Sequence, residues 1–290
     1  MLADKESLKI KPLIKWAGGK TWLAKKILNI VPDNYNNYHE PFIGGASVFL
    51  SLTCQQKSFL YDSNGELINF YQQIKKDYLA IFTLLSTYET SEDFYYHIRS
   101  QTYVDAVEMA ARFYYLNQTC FNGLYRVNQS GNFNVPYGKP TKKFSPDIAS
   151  FKLMHDMFEN STIECRDFYE SLDKIKKNDL VFLDPPYTVA HNLNGFIEYN
   201  KKLFSWQDQE RLADYILELK KIGAYFILTN ANHSSTLNLY KELGNTEIVE
   251  RYSTIGGKAS SRKLISEILV SNCPKSQNNE LINPLENSGF

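Results

Sequence analysis

The chain has 290 residues, and its 32 lysine and arginine residues balance its 32 aspartate and glutamate residues, so the formal net charge at pH 7 is zero. No global basic field therefore attracts nucleic acid, and a contact with DNA has to come from a local patch. The length is sufficient to bury a sizeable core, either in one large domain or in two smaller ones.

The cysteines and the start of the chain narrow the class of protein further. Cys54, Cys120, Cys165 and Cys273 are widely spaced and form no C-x-x-C pair, which argues against a zinc site or a disulfide framework. The residues before Pro12 are charged and lack the apolar core of a signal peptide, and no segment approaches transmembrane length. We therefore expect a cytoplasmic protein with no metal site and no membrane partner.

A Gly-Gly turn follows the first apolar segment of the chain. Gly19-Lys20-Thr21 matches the end of a phosphate-binding loop, but the first glycine of that motif would fall at Ile14, so the spacing excludes it. The turn still presents Trp16 and Lys20 to a bound molecule. The alternative is that Trp16 anchors the core and that Lys20 starts a solvated helix.

A second glycine turn, Gly44-Gly45, lies between a predicted strand and a predicted helix. Such a turn lets a ligand approach the backbone closely. The next predicted strand, 58–61, ends in Asp62, which follows Gly44 by 18 residues and is placed to accept hydrogen bonds from a ribose diol. These features predict a site for an adenosine moiety. Ser63 and Glu66 predict a capping box at the start of the following helix.

The segment 75–159 interrupts the α/β pattern with tyrosine-rich helical patterns and a long polar stretch, which predicts an inserted domain. Asn-Gly and Ser-Gly pairs within 121–139 predict turns of a stiff hairpin. Arginine, asparagine and aromatic side chains on such a hairpin are suited to the recognition of DNA bases. Lys139, together with Lys142 and Lys143, is suited to bind backbone phosphate. The alternative is a hairpin whose Arg126 merely pairs with an acid.

Two further predicted strands end in an acid followed by an aromatic ring. After the strand 161–165, Asp167 is placed to accept the amino group of an adenine while Phe168 covers its ring. A capping role for Asp167 and a packing role for Phe168 are the alternatives. The apolar run Leu180-Val181-Phe182-Leu183 predicts a strand buried on both faces, with Asp184 at the carboxyl end where open α/β sheets bind ligands.

The tetrapeptide Asp184-Pro185-Pro186-Tyr187 suits methylation of an exocyclic amino group on a nucleobase. Such an amine is a poor nucleophile because its lone pair is delocalised, and Asp184 with the Pro185 carbonyl would hold its N–H groups. Tyr187 would stack on a base flipped out of the duplex. The alternative is an ordinary strand that ends in a Pro-Pro turn, with Tyr187 as surface packing.

The last third of the chain continues the α/β pattern. Ser205 and Asp208 predict a capping box, and Gly223 predicts the end of that helix. The final predicted strand pair flanks the loop 253–263, which is rich in serine, glycine and lysine and either grips backbone phosphate or is a mobile surface loop. The polar tail from Pro274 is predicted to be disordered.

The order of these parts resembles that of the alpha-group amino methyltransferases, specifically the Dam-type DNA adenine-N6 methyltransferases, over roughly residues 13–270. Five pieces carry the resemblance: Lys15-Trp16-Ala17-Gly18-Gly19-Lys20, Glu40-Pro41-Phe42-Ile43-Gly44, Asn122-Gly123-Leu124-Tyr125-Arg126, Phe133-Asn134-Val135-Pro136-Tyr137-Gly138 and Asp184-Pro185-Pro186-Tyr187. One departure is Ala46, because the family motif usually carries a further glycine at that position or at the position of Gly45.

The resemblance implies a role for individual residues. S-adenosylmethionine would be bound by Trp16, Lys20, Asp62 and Asp184, with Phe42, Gly44 and Phe168 lining the pocket. The sequence GATC would be read by Phe121 beside the vacated base, Asn122 and Leu124 near the target step, Arg126 and Lys15 on the two guanines, and Pro136 against a thymine methyl group. Asp184, the Pro185 carbonyl and Tyr187 would act on the flipped adenine.

The resemblance also implies a fold and a division into domains. We expect a doubly wound, mostly parallel, Rossmann-like methyltransferase sheet at 1–74 and 160–273, an inserted, mainly helical target-recognition domain at 75–159, and a tail at 274–290. The implied partners are double-stranded DNA and, in a restriction-modification system, a companion restriction endonuclease. The alternatives are an amino methyltransferase for another sequence or base, such as cytosine N4 or RNA, and a catalytically silent DNA-binding relative.

Overall fold

The computed structural model describes residues 10–52, 56–188, 204–252 and 264–274. The loop 253–263, with its predicted phosphate contact, and the tail predicted to be disordered, apart from Pro274, lie outside these ranges. Within the described ranges, none of the helices combines the length and the apolar character that crossing a membrane requires.

Helices and strands alternate through most of the chain. The helices are α1 (Ala24–Ile30), α2 (Ser47–Leu52), α3 (Gly65–Leu85), α4 (Glu92–Ser100), α5 (Ala106–Thr119), α6 (Ile148–Phe158), α7 (Trp206–Ile222) and α8 (Ser234–Tyr240), with short 3-10 segments at Phe121–Gly123 and Phe168–Lys174. The strands are β1 (Tyr38–Glu40), β2 (Ser58–Asp62), β3 (Ser161–Cys165), β4 (Leu180–Leu183), β5 (Tyr225–Ala231), β6 (Asn245–Tyr252) and β7 (Leu264–Ser271).

The strands form a seven-stranded sheet in the order β3-β2-β1-β4-β5-β7-β6. β2 pairs in parallel with both β1 and β3, and β4 pairs in parallel with β5. β7 is antiparallel to β5 and to β6. The predicted α/β fold with a mostly parallel, Rossmann-like sheet is therefore confirmed. All four residues of β4 are buried, as expected of a strand covered on both faces.

The chain divides into two compact units. The first comprises Met1–Ala24 and Asn37–Ile175, and the second comprises Lys25–Asn36 and Lys176–Phe290. The segment 75–159, predicted as the recognition domain, lies within the first unit, and its boundaries as a domain stay a prediction. Helix α3 bends at Asp77, whose φ of −159° and ψ of 79° interrupt the helical backbone close to the predicted boundary.

The core of the first unit is largely aromatic. Helices α3, α5 and α6 contribute its rings, of which Phe70, Tyr71, Phe151 and Phe158 are fully buried. Phe70 stacks on Tyr114 of α5 with ring centroids 5.6 Å apart. Because each ring removes a large apolar area from water, the burial of these rings stabilises the packing of the three helices.

The helix caps test two of the sequence predictions. The capping box of Ser205 and Asp208 is confirmed, and Gly223 ends α7 with a φ of 81°. The predicted box of Ser63 and Glu66 is wrong. Asn64 is the cap of α3 instead, because the chain stays extended through it (φ −84°, ψ 103°) and its side chain accepts from the Leu67 N–H at 3.1 Å.

Candidate active site

The cofactor candidates of the first unit lie along one edge of its parallel strands. Because β1, β2 and β3 run in the same direction, their carboxyl ends carry the glycine turn, Asp62 and the Asp167–Phe168 pair on that edge. The Gly44 N–H donates to Oδ2 of Asp62 at 3.1 Å. The rings of Phe42 and Phe168 pack with centroids 5.3 Å apart. Five predicted residues that are distant in the sequence therefore form one group.

Backbone amides fix the carboxylate of Asp62. Its Oδ1 accepts from the Asn64 N–H at 3.0 Å, and its Oδ2 accepts from the N–H of Gly44. A carboxylate has about four acceptor positions, so these backbone bonds orient it without using its full acceptor capacity. Burial raises the pKa of Asp62 above its usual value, although its hydrogen bonds to backbone N–H groups oppose this shift.

The glycine turn is shaped by the indole of Trp16. Gly44 has a φ of +44°, and a Cβ at this position would lie 2.9 Å from both Cδ1 and Nε1 of the indole. A Cβ at Gly45 would lie 3.0 Å from the Cβ of Trp16. The two glycines are therefore required by an internal contact. Ala46, which follows them, is fully buried with a φ of +59°, a conformation that a residue with a Cβ rarely adopts.

Trp16 and Lys20 occupy different environments. The half-buried Trp16 ring packs against Tyr125 and Phe113, with centroids 5.6 and 6.4 Å away. Lys20 is only 2% exposed, and its Nζ donates to the carbonyl of Gly18 at 2.8 Å. The alternative that Lys20 starts a solvated helix is wrong, because the side chain turns inward to a carbonyl of its own turn.

Asp167 and Phe168 have the structural roles that were left open by the sequence. Asp167 caps the 3-10 segment that follows it, where its Oδ1 accepts from the Tyr169 N–H at 3.0 Å. Phe168 is 4% exposed beneath Phe42. The cap orients the carboxylate of Asp167 at the carboxyl end of β3.

The segment 119–138 folds as the predicted hairpin. Isolated antiparallel bridges join Cys120 to Tyr137 and Val127 to Phe133. The end of the hairpin is closed by Asn128, whose Oδ1 accepts from the N–H groups of Ser130 and Asn132 at 3.0 Å each. The Ser-Gly pair forms the turn at this end, whereas the Asn-Gly pair lies in the 3-10 segment Phe121–Gly123 at the start of the hairpin.

The hairpin presents most of the DNA-reading candidates to solvent. Exposed side chains belong to Lys15, Phe121, Asn122, Arg126, Pro136 and Lys139, whereas Leu124 is half-buried. Phe121 is 51% exposed, which is unusual for a phenylalanine. Lys142 and Lys143 are exposed as well, so all three lysines that are predicted to contact phosphate face solvent.

Arg126 and Lys15 are positioned by neutral groups. Nε of Arg126 donates to Oδ1 of Asn134 at 2.8 Å, so an amide holds the guanidinium where the alternative interpretation expected an acid. Nζ of Lys15 donates to the Gln118 carbonyl at 2.9 Å. Gly123 has a φ of +62°, and a Cβ there would lie 2.3 Å from the Cδ of Lys15, so the lysine stem runs over this glycine.

The catalytic candidates lie in the second unit, at the end of β4. Thr229 of β5 donates from Oγ1 to Oδ1 of Asp184 at 2.7 Å. Pro185 is buried, and the hydroxyl of the half-buried Tyr187 donates to Oε2 of Glu267 at 2.7 Å. Burial, together with the charges of Asp184 and Glu267, raises the pKa of Tyr187 well above its ordinary value. The hydroxyl therefore stays protonated at neutral pH.

Sequence reasoning did not identify Thr229 and Glu267. Both are buried polar side chains in apolar strands, with 0% and 1% of their surface exposed. A lone hydroxyl in β5 and a lone carboxylate in β7 were the signals available, because a buried polar group needs a partner. Within the described ranges, no cluster of three or more histidine, cysteine, aspartate or glutamate side chains is arranged to hold a metal ion.

Comparison with known proteins gives the family of the chain. Residues 16–254 match the model of the D12 class N6 adenine-specific DNA methyltransferases. Type II methyltransferase M1.LlaDCHI of Lactococcus lactis subsp. cremoris is 35% identical over 93% of this chain and 98% of its own length. Type II methyltransferase M.MjaIII of Methanocaldococcus jannaschii is 33% identical over 91% and 100%. A DNA adenine methylase of Vibrio cholerae is 30% identical over 90% and 96%. This chain therefore belongs to the D12 class of N6 adenine-specific DNA methyltransferases.

Proposed function

We propose that this enzyme is a Dam-type methyltransferase that transfers a methyl group from S-adenosylmethionine to N6 of adenine in double-stranded DNA, within the sequence GATC. The observation that carries the proposal is the hydrogen bond from Thr229 to Asp184 at the carboxyl end of β4. It orients a carboxylate that is followed by two prolines and a tyrosine, and this carboxylate would accept from a substrate N–H.

Asp184 and Pro185 would make the adenine amine reactive. The lone pair of the amine is delocalised into the ring, so N6 becomes nucleophilic only when acceptors hold its N–H groups and stabilise the positive charge that develops on nitrogen. The Asp184 carboxylate and the Pro185 carbonyl supply two such acceptors, and prolines at 185 and 186 keep the backbone rigid. The proton that N6 loses after methylation would leave towards Asp184.

The group around Asp62 fits an adenosine-containing cofactor. Its carboxylate, oriented by Gly44 and Asn64, would accept from the ribose hydroxyls, and Asp167 would accept from the adenine amino group. Trp16, Lys20, Phe42, Gly44 and Phe168 would complete the pocket. S-adenosylmethionine supplies an electrophilic methyl group on its sulfonium. The residues named here bind and orient it.

The hairpin 119–138 would read the DNA. Arg126 and Lys15 would contact the two guanines of GATC, and the exposed Phe121 would fill the space that the flipped adenine leaves. Asn122 and Leu124 would lie near the target step, and Pro136 against a thymine methyl group. Lys139 would bind phosphate. We place this function in the segment 75–159.

Replacement of Asp184 tests the chemistry. We expect Asp184→Ala to fold and to bind duplex DNA but to transfer no labelled methyl group, because the amine loses an acceptor. Asp214→Asn is the matched control, since Asp214 is an exposed acid on α7 of the same unit, and it should transfer methyl groups at the rate of the unaltered enzyme. Near-normal transfer by Asp184→Ala would refute the proposed role.

The target is tested in a separate experiment. DNA isolated after expression of the enzyme should resist an endonuclease that cuts only unmethylated GATC, and its nucleosides should contain N6-methyladenine by mass spectrometry. N4-methylcytosine would favour the cytosine alternative, and methylation of RNA alone would favour the RNA alternative. Cofactor-dependent methylation of a GATC duplex would exclude a silent relative.

A restriction-modification role is tested through the host. Two relatives are named type II methyltransferases, which supports a companion restriction endonuclease for this enzyme. If such an endonuclease exists, loss of the methyltransferase in the native host should lead to cleavage of unmethylated chromosomal DNA. A host that tolerates this loss without cleavage would indicate an orphan enzyme.

A further inference from the structure

A buried carboxylate on β7 lies against the tyrosine of the catalytic loop. Glu267 is 1% exposed, and its Oε2 accepts from the hydroxyl of Tyr187 at 2.7 Å. Its other oxygen, Oε1, lies 3.4 Å from Nε of Arg251 on β6. Burying a carboxylate is costly unless both oxygens have partners, and here one of the partners is a proposed substrate-contacting residue.

The strand register brings Glu267 to the functional edge of the second unit. β7 is antiparallel to β5, and Glu267 pairs with Ala231, two residues beyond Thr229. β5 is parallel to β4, and Leu183 pairs with Leu228. The amino-terminal part of β7 therefore reaches the edge where β4 ends in Asp184, which explains how a residue 80 positions after Tyr187 meets its hydroxyl.

A stacking ring needs a fixed plane as well as a fixed position. A bond from the hydroxyl of a tyrosine to an ionised carboxylate is short and strong, and it fixes the outer end of the ring. Because the O–H of a phenol lies in the plane of its ring, a fixed acceptor also favours one orientation of that plane. Arg251 in turn holds Glu267 from the other side. Contacts from Arg251 on β6 to Glu267 on β7, and from Glu267 to Tyr187, thus link two antiparallel strands to one ring.

We propose that Glu267 is a positioning residue, which fixes the plane of the Tyr187 ring for stacking on the flipped adenine. This inference rests on the proposed role of Tyr187. Glu267 acts through the tyrosine, so its loss should slow the methyl-transfer step and leave cofactor affinity unchanged.

A double-mutant cycle tests the inference. The single-turnover rate of methyl transfer is measured at saturating cofactor and GATC duplex for Tyr187→Phe, Glu267→Ala and the double variant. We expect each single change to lower the rate about tenfold, and the double variant to be within about twofold of the slower single variant, because both changes remove the same hydrogen bond. Glu267→Gln, which keeps an acceptor, should recover most of the rate. Multiplied losses in the double variant, or a folded Glu267→Ala variant with an unchanged rate, would overturn the inference.

Asn272→Ala is the control for a purely structural effect. Asn272 directly follows β7, accepts from the Phe226 N–H at 2.7 Å and donates to the Ala224 carbonyl at 2.9 Å, at the opposite end of β5 from Thr229. Its replacement should lower the melting temperature and leave the single-turnover rate unchanged. If Glu267→Ala does not fold, the cycle is run with Glu267→Leu in an Arg251→Leu background, in which no buried charge remains unpaired.

Tyr187→Ala separates failure of this inference from failure of the proposed function. The fluorescence of 2-aminopurine at the target position reports the environment of the flipped base. We expect Tyr187→Ala to change this signal and to abolish transfer. An unchanged signal and rate would overturn the stacking role of Tyr187 and the inference with it. A lost rate in Tyr187→Ala together with an unchanged rate in Glu267→Ala would overturn the positioning role alone.

Discussion

The ring of Tyr125 packs against the indole of Trp16, with centroids 5.6 Å apart and an angle of 30° between the planes. Tyr125 belongs to the hairpin of the proposed DNA-reading residues, and Trp16 lies against the glycine turn of the proposed cofactor group. The hydroxyl of Tyr125 donates to Oε2 of Glu66 at 2.8 Å, so the ring is held from α3 as well. A contact within the first unit therefore joins the hairpin that is proposed to read DNA to a residue that is proposed to bind the cofactor.

Replacement of Tyr125 should weaken cofactor binding. An aromatic pair contributes about 0.5–1.5 kcal/mol beyond its buried area, so we expect Tyr125→Leu to raise the dissociation constant of S-adenosylmethionine roughly 2- to 12-fold in calorimetry. Tyr125→Phe keeps the ring and loses only the bond to Glu66, and it should bind nearly as tightly as the unaltered enzyme. Equal weakening in both variants would show that the hydroxyl, and not the ring, positions Trp16.

Ala46→Gly should stabilise the protein. The φ of +59° costs an alanine about 1 kcal/mol or more relative to glycine, and this residue is fully buried, so the surrounding fold holds it in place. Greater backbone freedom of glycine in the unfolded chain offsets part of the gain. We expect the free energy of unfolding in urea to rise by roughly 0.5–1 kcal/mol. A fall would mean that the methyl group of Ala46 contributes more by packing than the backbone strain costs.

Asn134 should support the specificity of Arg126. Arg126→Ala is expected to lose discrimination at one guanine of GATC by on the order of 1–3 kcal/mol, measured as the ratio of kcat/KM on matched and altered duplexes. Asn134→Ala frees the guanidinium from its 2.8 Å bond, so it should lose discrimination at the same guanine by a smaller amount. A loss at a different base pair in the two variants would contradict this relationship.

Stability should fall in alkaline solution because of buried thiols. Burial raises the pKa of Cys273 from 9.0 to about 11. Since the folded state holds the proton more tightly, this contribution to stability is complete below pH 9 and is lost as the pH rises from 9 towards 11. We expect urea unfolding to show a smaller loss of stability between pH 8 and pH 10.5 for Cys273→Ala than for the unaltered protein. Identical losses would show that the pKa of Cys273 does not differ between the folded and the unfolded protein.

The local elements of this protein follow from its sequence. The strand Leu180–Leu183 is an apolar run bounded by polar residues, and it forms with the predicted limits. The capping box at Ser205 and the end of α7 at Gly223 use side chains and φ angles that act within a few residues. The hairpin turn at Ser-Gly is local in the same sense. Short-range hydrogen bonds and steric limits determine all of them.

The shift of the α3 cap from Ser63 to Asn64 shows where local rules fail. Ser63 and Glu66 have the spacing of a capping box, but Glu66 bonds instead to Arg112 of α5 at 3.1 Å and to Tyr125 of the hairpin. Partners distant in the sequence, which local propensity does not register, provide these bonds. Propensity is a weak preference that tertiary contacts override.

The sequence by itself determined the α/β class, the order of the motifs and the candidate residues for binding and catalysis. These follow from the hydrophobic period, the turn residues and the Asp-Pro-Pro-Tyr run, which are all properties of neighbouring positions. Only the tertiary structure decided which side chains support them. Trp16 shapes the turn at Gly44, Thr229 holds Asp184, and Glu267 holds Tyr187. The residues of these pairs are 28, 45 and 80 positions apart in the sequence. The packing and register of the strands decide which partner a buried polar or aromatic group meets, and the distance along the chain does not.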